Sequence, residues 1–261
     1  MSAQTIAALA GLQGGLEAWA WGAFLVLLRV GGAVALLPAF GEQSVPARVR
    51  LALALAFGAV VLPAVGPSLP PFPGVARAVP ALLGEAGVGL LLGLGLRLFV
   101  LALQMAGSIA AQATSLSQLF GAGPGGEPSP AMAHLLVLGG LALAGLLGLH
   151  VQVAAYLIGS YALLPAGAGL DPGLALDATL GEVGRATGLA FSLAAPFVAA
   201  SLLYNVTLGV INRAMPQLMV TFIGAPALTA GGLLLLLVAA PVLLQLWSGE
   251  LGGFLRRPFE P

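Results

Sequence analysis

Charged residues divide the chain into about six long apolar segments. The first segment lies between Glu17 and Glu42, and Arg29 is the only charged residue inside it. The other segments are 51–76, 80–113, 131–164, 186–211 and 218–247. A bilayer core of about 30 Å is crossed by a helix of about 20 consecutive apolar residues. The pattern therefore predicts membrane-crossing helices along most of the chain.

Two of these segments have lengths that do not suit one crossing. Five prolines between positions 63 and 73 limit the predicted helix of the second segment to residues 51–62, which would measure about 18 Å. The segment 131–164 contains no proline and no charged residue, and a continuous helix there would reach about 50 Å. Broken helices are tolerated in a bilayer only against protein or a wet cavity. We therefore expect these segments to pack against other protein chains.

The composition excludes a water-soluble protein. Apolar residues make up 59% of the 261 residues, charged residues only 7%, and the mean hydropathy is +1.06. A soluble surface needs about 25–35% charged residues, so soluble enzymes, nucleic-acid binders and disordered chains are excluded. We predict an all-α integral membrane protein with about six apolar helical segments, several of them broken or of atypical length. The N-terminus lacks the basic start of a signal peptide, so the first apolar segment is expected to remain on the mature protein.

Few residues are able to carry chemistry. The chain has no Cys, which excludes disulfides and thiolate catalysis. On one continuous helix His134 and His150 would lie about 24 Å apart, too far to share a metal ion. Asp171, Asp177 and Glu182 are expected to lie in one solvated loop. Because metal-binding and nucleotide-binding motifs are also missing, the sequence predicts no metal, no cofactor, no nucleic-acid partner and no enzymatic activity.

Arg29 lies in the middle of its apolar segment. An arginine at the centre of a bilayer costs about 2.5–3.5 kcal/mol on insertion scales, so such residues face a protein interior and have a function. Two interpretations stay open. Arg29 either forms a structural ion pair or carbonyl clamp within an assembly, or it binds a substrate or gates a path. Arg97, in the third segment, is interpreted in the same way.

The segment 115–130 differs in composition from its apolar flanks. Four Gly and three Pro occupy residues 121–130, and this content prevents a continuous helix. Leu116, Leu119 and Phe120 add apolar side chains immediately before it. An ordinary loop fits this composition. A segment that seals a pore fits it as well, because hydrophobic constrictions gate by excluding water.

Several short patterns resemble the FliR family of type III export-gate proteins. The most specific is NRAMPQL at 212–218, followed by IGAP at 223–226. The others are LLRV at 27–30, VPARVRL at 45–51, QMAGSIAAQATSLSQL at 104–119 and SYALLPAG at 160–167. The patterns occur in the family's order and extend over nearly the whole chain.

The resemblance implies a channel subunit that is not an enzyme. FliR-like proteins assemble with FliP-like and FliQ-like subunits, beside FlhB-like and FlhA-like proteins, into the gate that exports unfolded flagellar proteins. This gate lies in the bacterial inner membrane, surrounded by lipid, at the flagellar basal body. The family's fold implies one membrane-embedded domain over 1–261, with a FliP-like part at about 1–205 and a FliQ-like hairpin and tail at about 206–261.

The resemblance implies a pore plug, and the hypothesis of a channel subunit adds a set of subunit contacts. The expected pore plug consists of Leu116, Leu119, Phe120, Gly121, Gly123, Pro124, Gly125 and Gly126. The expected subunit contacts and structural polar residues are Arg29, Arg48, Arg50, Asn212, Arg213, Pro216 and Gln217.

Three alternatives to a flagellar channel subunit remain at this level. The chain could serve a virulence injection apparatus, which shares the same patterns. It could be a small secondary transporter, whose broken helices would frame a site around Arg29. It could also be a structural scaffold without a pore-lining surface.

Overall fold

The computed structural model describes residues 3–41, 45–114, 131–215 and 220–258. Within these ranges the chain forms seven α-helices and a 3-10 turn, without a β-strand, which confirms the predicted all-α class. The helices are α1 (Ala3–Leu36), α2 (Ala47–Val65), α3 (Val75–Ala113), α4 (Ala131–Leu146), α5 (Leu149–Leu163), α6 (Pro172–Ala214) and α7 (Val220–Arg256).

Five helices in the described part of the chain are long and apolar enough to cross a membrane. They contain the stretches Gly14–Leu36, Ala47–Ser68, Val75–Ala113, Pro172–Ala214 and Pro226–Arg256. The helices α4 and α5 would make a sixth crossing if the broken pair is counted as one span. These numbers agree with the six apolar segments predicted from the sequence.

The helix predicted at 51–62 was too short. α2 covers 19 residues, and the 3-10 turn Gly66–Ser68 extends it. Pro63 lies in the last turn of α2, where the missing N–H removes only one intrahelical hydrogen bond. The resulting stretch of 22 residues is therefore long enough for one crossing.

The segment 131–164 is not one continuous helix. α4 ends at Leu146 and α5 begins at Leu149, and Gly148 between them has a φ of 75°. This left-handed conformation is accessible to glycine at little cost, so the break occurs without a proline. His134 and His150 consequently lie on two different helices.

The acidic connection before α6 was predicted as a solvated loop, and most of it is helical. α6 begins at Pro172, so Asp177 and Glu182 lie inside this helix. The Asp171 side chain accepts hydrogen bonds from two backbone N–H groups of the first turn, at 2.8 and 3.1 Å. Such a cap satisfies donors that the helix itself leaves free, and Pro172 suits the first helical position.

The chain forms two compact units. The first unit contains Met1–Arg97 and Gly148–Leu180, and the second contains Leu98–Leu147 and Gly181–Pro261. The long helices α3 and α6 each contribute one part to each unit. The predicted division into a FliP-like and a FliQ-like part is a single boundary in the sequence at about residue 205. The two compact units do not test it, so it stays a prediction.

Candidate functional site

The first unit contains a buried ion pair between α1 and α3. Arg29 is 0% exposed and Glu85 is 2% exposed. The guanidinium Nε of Arg29 donates a hydrogen bond to Oε2 of Glu85 at 2.7 Å, and Nη2 donates to Oε1 at 3.1 Å. This two-point geometry is the strong arrangement between a guanidinium and a carboxylate, and it joins the two helices at one place.

The other donors of Arg29 reach α5 and the residues that follow it. Nη1 donates to Oγ of Ser160 at 3.2 Å, and Nη2 also donates to the carbonyl oxygen of Leu164 at 2.8 Å. The ring centroid of Tyr161 lies 3.8 Å from Cζ of Arg29, which adds a cation–π contact. Four of the five guanidinium N–H groups are therefore used inside the chain.

Glu85 is held from a second direction. Its Oε1 accepts a hydrogen bond from the backbone N–H of Gly167 at 2.9 Å, so the loop after α5 is attached to α3 as well. We call Arg29, Glu85, Ser160, Tyr161 and the backbone of 164–167 the arginine–glutamate centre. Because both charges are buried and hydrogen-bonded, the centre is suited to fixing helix positions.

Glycines allow α1 and α3 to approach closely enough for this ion pair. A Cβ atom at Gly32 would lie 2.8 Å from a carbonyl oxygen of α3, and one at Gly93 would lie 2.5 Å from a carbonyl oxygen of α1. A Cβ atom at Gly89 would overlap the carbonyl group of Arg29. Small residues spaced four apart, such as Gly89 and Gly93, let helix backbones meet in membrane proteins.

Tryptophan and small residues hold the second unit together. Trp247 of α7 is 1% exposed, and its Nε1 donates a hydrogen bond to the carbonyl oxygen of Phe99 in α3 at 2.8 Å. A Cβ atom at Gly140 of α4 would lie 2.5 Å from the side chain of Leu103 and 3.3 Å from the Trp247 ring.

Among the described residues, no group of three or more acidic or histidine side chains could hold a metal ion.

The predicted subunit-contact residues lie at several places in the chain. Arg48 is exposed near the start of α2, whereas Arg50 is half-buried, and its Nε has no hydrogen-bond partner among the described residues. Asn212 and Arg213 are exposed in the last turn of α6. The other predicted site residues lie outside the described residues: Pro216, Gln217, Leu116, Leu119, Phe120, Gly121, Gly123, Pro124, Gly125 and Gly126.

Two buried acids were missed from the sequence. Glu85 is the only acid inside the six apolar segments. Matching opposite charges within those segments leaves Arg29 and Arg97 as its two candidate partners, because a buried charge needs a partner. Glu182 is 4% exposed and contacts Arg185 three residues later. That spacing is typical of an ion pair along a helix.

Comparison with known proteins identifies the family. Residues 20–253 match the bacterial export proteins, family 1. The flagellar biosynthetic protein FliR of Caulobacter vibrioides is 32% identical over 228 residues, which cover 87% of this chain and 91% of the relative. FliR of Escherichia coli is 29% identical over 233 residues, which cover 84% of each chain. Because the match extends over residues 20–253, most of the chain, this chain belongs to the bacterial export proteins, family 1.

Proposed function

We propose that this chain is a channel subunit of the flagellar export apparatus. With FliP-like and FliQ-like subunits it forms the path for unfolded flagellar proteins, and FlhB-like and FlhA-like proteins lie beside it. The family match over residues 20–253 carries this proposal. A member of this family with five helices of spanning length is a multi-pass protein of the inner membrane at the flagellar basal body.

The lengths of α3 and α6 support assembly with other chains. They contain 39 and 43 residues, about twice the 20 residues that cross a hydrocarbon core. A straight crossing uses only about half of each helix, and both helices carry exposed apolar side chains, such as Leu83 at 69% and Leu174 at 71%. Exposed apolar surface outside lipid is stabilised by contact with protein, and neighbouring subunits of a channel would supply that contact.

The arginine–glutamate centre fits this function as an internal joint. All the hydrogen bonds of Arg29 described above stay inside the chain, so its contribution to subunit contacts is indirect. It holds α1, α3 and α5 in place while their outer faces meet neighbouring subunits. The direct contacts are assigned to Arg48, Arg50, Asn212 and Arg213, together with Pro216 and Gln217, and the segment 116–126 seals the resting pore.

The geometry gives little support to a secondary transporter. A transport site around Arg29 would have to present the guanidinium to an anionic solute. Glu85, Ser160 and the Leu164 carbonyl already occupy four of its N–H groups, so a solute would have to displace a two-point carboxylate. The similar relatives are flagellar proteins by name, which favours the flagellum over an injection apparatus.

Deletion of the gene in its host tests the proposal. We expect normal levels of hook and filament proteins inside the cell and none in the medium, with secretion restored by the wild-type gene. Unchanged secretion of both proteins would reject the flagellar role. Loss of uptake of one anionic solute with intact motility in an Arg29→Gln strain would identify a transporter instead.

A further inference from the structure

A small cavity in the second unit combines charged and apolar walls. Its volume is about 220 Å³, and its walls come from α3, α6 and the end of α7. In a chain with only nine Arg and nine acidic residues, four of the charged side chains line this one cavity. They are Glu182, Arg185, Glu250 and Arg257.

The cavity lies where the uncharged stretches of its three helices begin or end. α6 has no charged residue from 186 to 212, α7 has none from 220 to 249, and α3 has none from 98 to 113. The first residues of the α3 stretch, Leu98 and Phe99, line the cavity directly. Charged side chains near the ends of membrane helices collect in the polar boundary of the bilayer. This places the cavity at the level of the lipid headgroups on one membrane surface.

The walls of the cavity offer both signs of charge beside an apolar surface. Glu182 is 4% exposed and is paired with Arg185, so the charged wall is preorganised. The rings of Phe99 and Phe254 lie 5.3 Å apart and form part of the apolar wall. Two arginines and two carboxylates give the lining a net charge of zero. A simple anion would meet repulsion from the carboxylates, whereas a group with one phosphate and one ammonium matches both signs.

We propose that this cavity binds the headgroup of an ethanolamine phospholipid. Arg185 and Arg257 bind the phosphate, since guanidinium groups suit phosphate oxygens, and Glu182 and Glu250 accept hydrogen bonds from the ammonium group. The aromatic wall contacts the start of the acyl chains. The inference depends on the membrane location of the chain and is independent of its role in export.

Lipid retention by the purified protein tests the proposal. The full-length chain is extracted in detergent with any subunits that stay bound, and bound lipid is counted by native mass spectrometry. Phosphatidylethanolamine, phosphatidylglycerol and soluble phosphoethanolamine are added separately. We expect phosphatidylethanolamine to be retained most strongly. Arg257→Gln should reduce its retention about tenfold, the scale of one charge-assisted hydrogen bond. The neighbouring Arg256→Gln, outside the cavity, is the matched control and should leave retention unchanged.

A second variant separates recognition from loss of structure. Glu250→Gln removes one negative charge, so retention should shift from phosphatidylethanolamine toward the anionic phosphatidylglycerol. A merely misfolded cavity would lose both lipids. Equal retention of the two lipids by the wild-type protein, or an unchanged Arg257→Gln variant, would overturn the proposal. Binding of phosphoethanolamine as tight as that of the lipid would overturn the lipid as the ligand. None of these results changes the secretion test, so the two proposals can fail separately.

Discussion

At the scale of single residues, the ion pair of Arg29 and Glu85 explains how an apolar core accommodates charge. Removing a charge from water costs several kcal/mol, and attraction to a partner offsets this only when the remaining donors and acceptors are satisfied. Ser160, the Leu164 carbonyl and the Gly167 N–H provide those additional hydrogen bonds. The centre is therefore stable as a unit and sensitive to the loss of either charge.

Removing one charge of the pair should destabilise the protein more than removing both. We expect Arg29→Met or Glu85→Leu alone to cost about 3–5 kcal/mol in free energy of unfolding, because each leaves an unpaired buried charge. The double variant should recover most of this loss. Thermal aggregation of the detergent-solubilised protein and the amount of chain in the membrane fraction measure the effect.

The exposed Arg48→Met provides the control for this series, and its stability should change by less than about 0.5 kcal/mol. A double variant that loses as much stability as the two single variants together would show that the charges do not act as a pair.

At this scale the sequence was sufficient to identify Arg29 as a candidate site residue, but not its contacts. Arg29 was identified because a charge inside an apolar segment is rare and expensive. Its contacts with Ser160 and Leu164 are separated by 131 and 135 positions in the chain. The packing of α5 against α1 decides such contacts, and no periodicity within a single segment encodes that packing.

At the scale of helices, the crossing of α1 and α3 depends on which glycine faces the partner helix. Gly31→Ala should be neutral or slightly stabilising, because a Cβ there meets nothing within 4 Å and alanine favours a helix by about 1 kcal/mol. Gly32→Ala should destabilise by about 1–3 kcal/mol, since its Cβ would press on the backbone of α3. The unfolding temperatures of the two variants, measured side by side, give the comparison. Equal effects at the two positions would contradict the close crossing.

Helix boundaries could be predicted only where local chemistry decides them. The Asp171–Pro172 pair is a recognisable helix start, and it was overlooked because acidic residues suggested a solvated loop. The break at Gly148 follows from its left-handed conformation. The chain has 38 glycines, and the sequence does not indicate which of them adopts this conformation. The predicted helix was ended at residue 62 because Pro63 follows. A proline in the last turn of a helix removes only one intrahelical hydrogen bond, so the helix continues past it.

At the scale of the whole molecule, composition and the length of the apolar segments together predict the class of protein. An apolar content of 59% with 7% charge leaves an integral membrane protein, and the uninterrupted apolar segments of about 20 residues or more indicate that it is helical. The two compact units could not be predicted in this way. Helices α3 and α6 are each continuous in sequence, and only tertiary packing assigns their two parts to different units.

The most direct test of a channel subunit is the accessibility of its predicted plug during export. The chain has no Cys, so single cysteines at Leu116, Leu119 and Phe120 provide a specific label for a water-soluble thiol reagent. Leu237, 73% exposed on the apolar surface of α7, is the control, because lipid or protein should shield it. We predict labelling at 116, 119 and 120 that rises when cells export flagellar proteins, with no labelling at 237. Equal labelling in exporting and resting cells, or none in either, would contradict a channel that this segment seals.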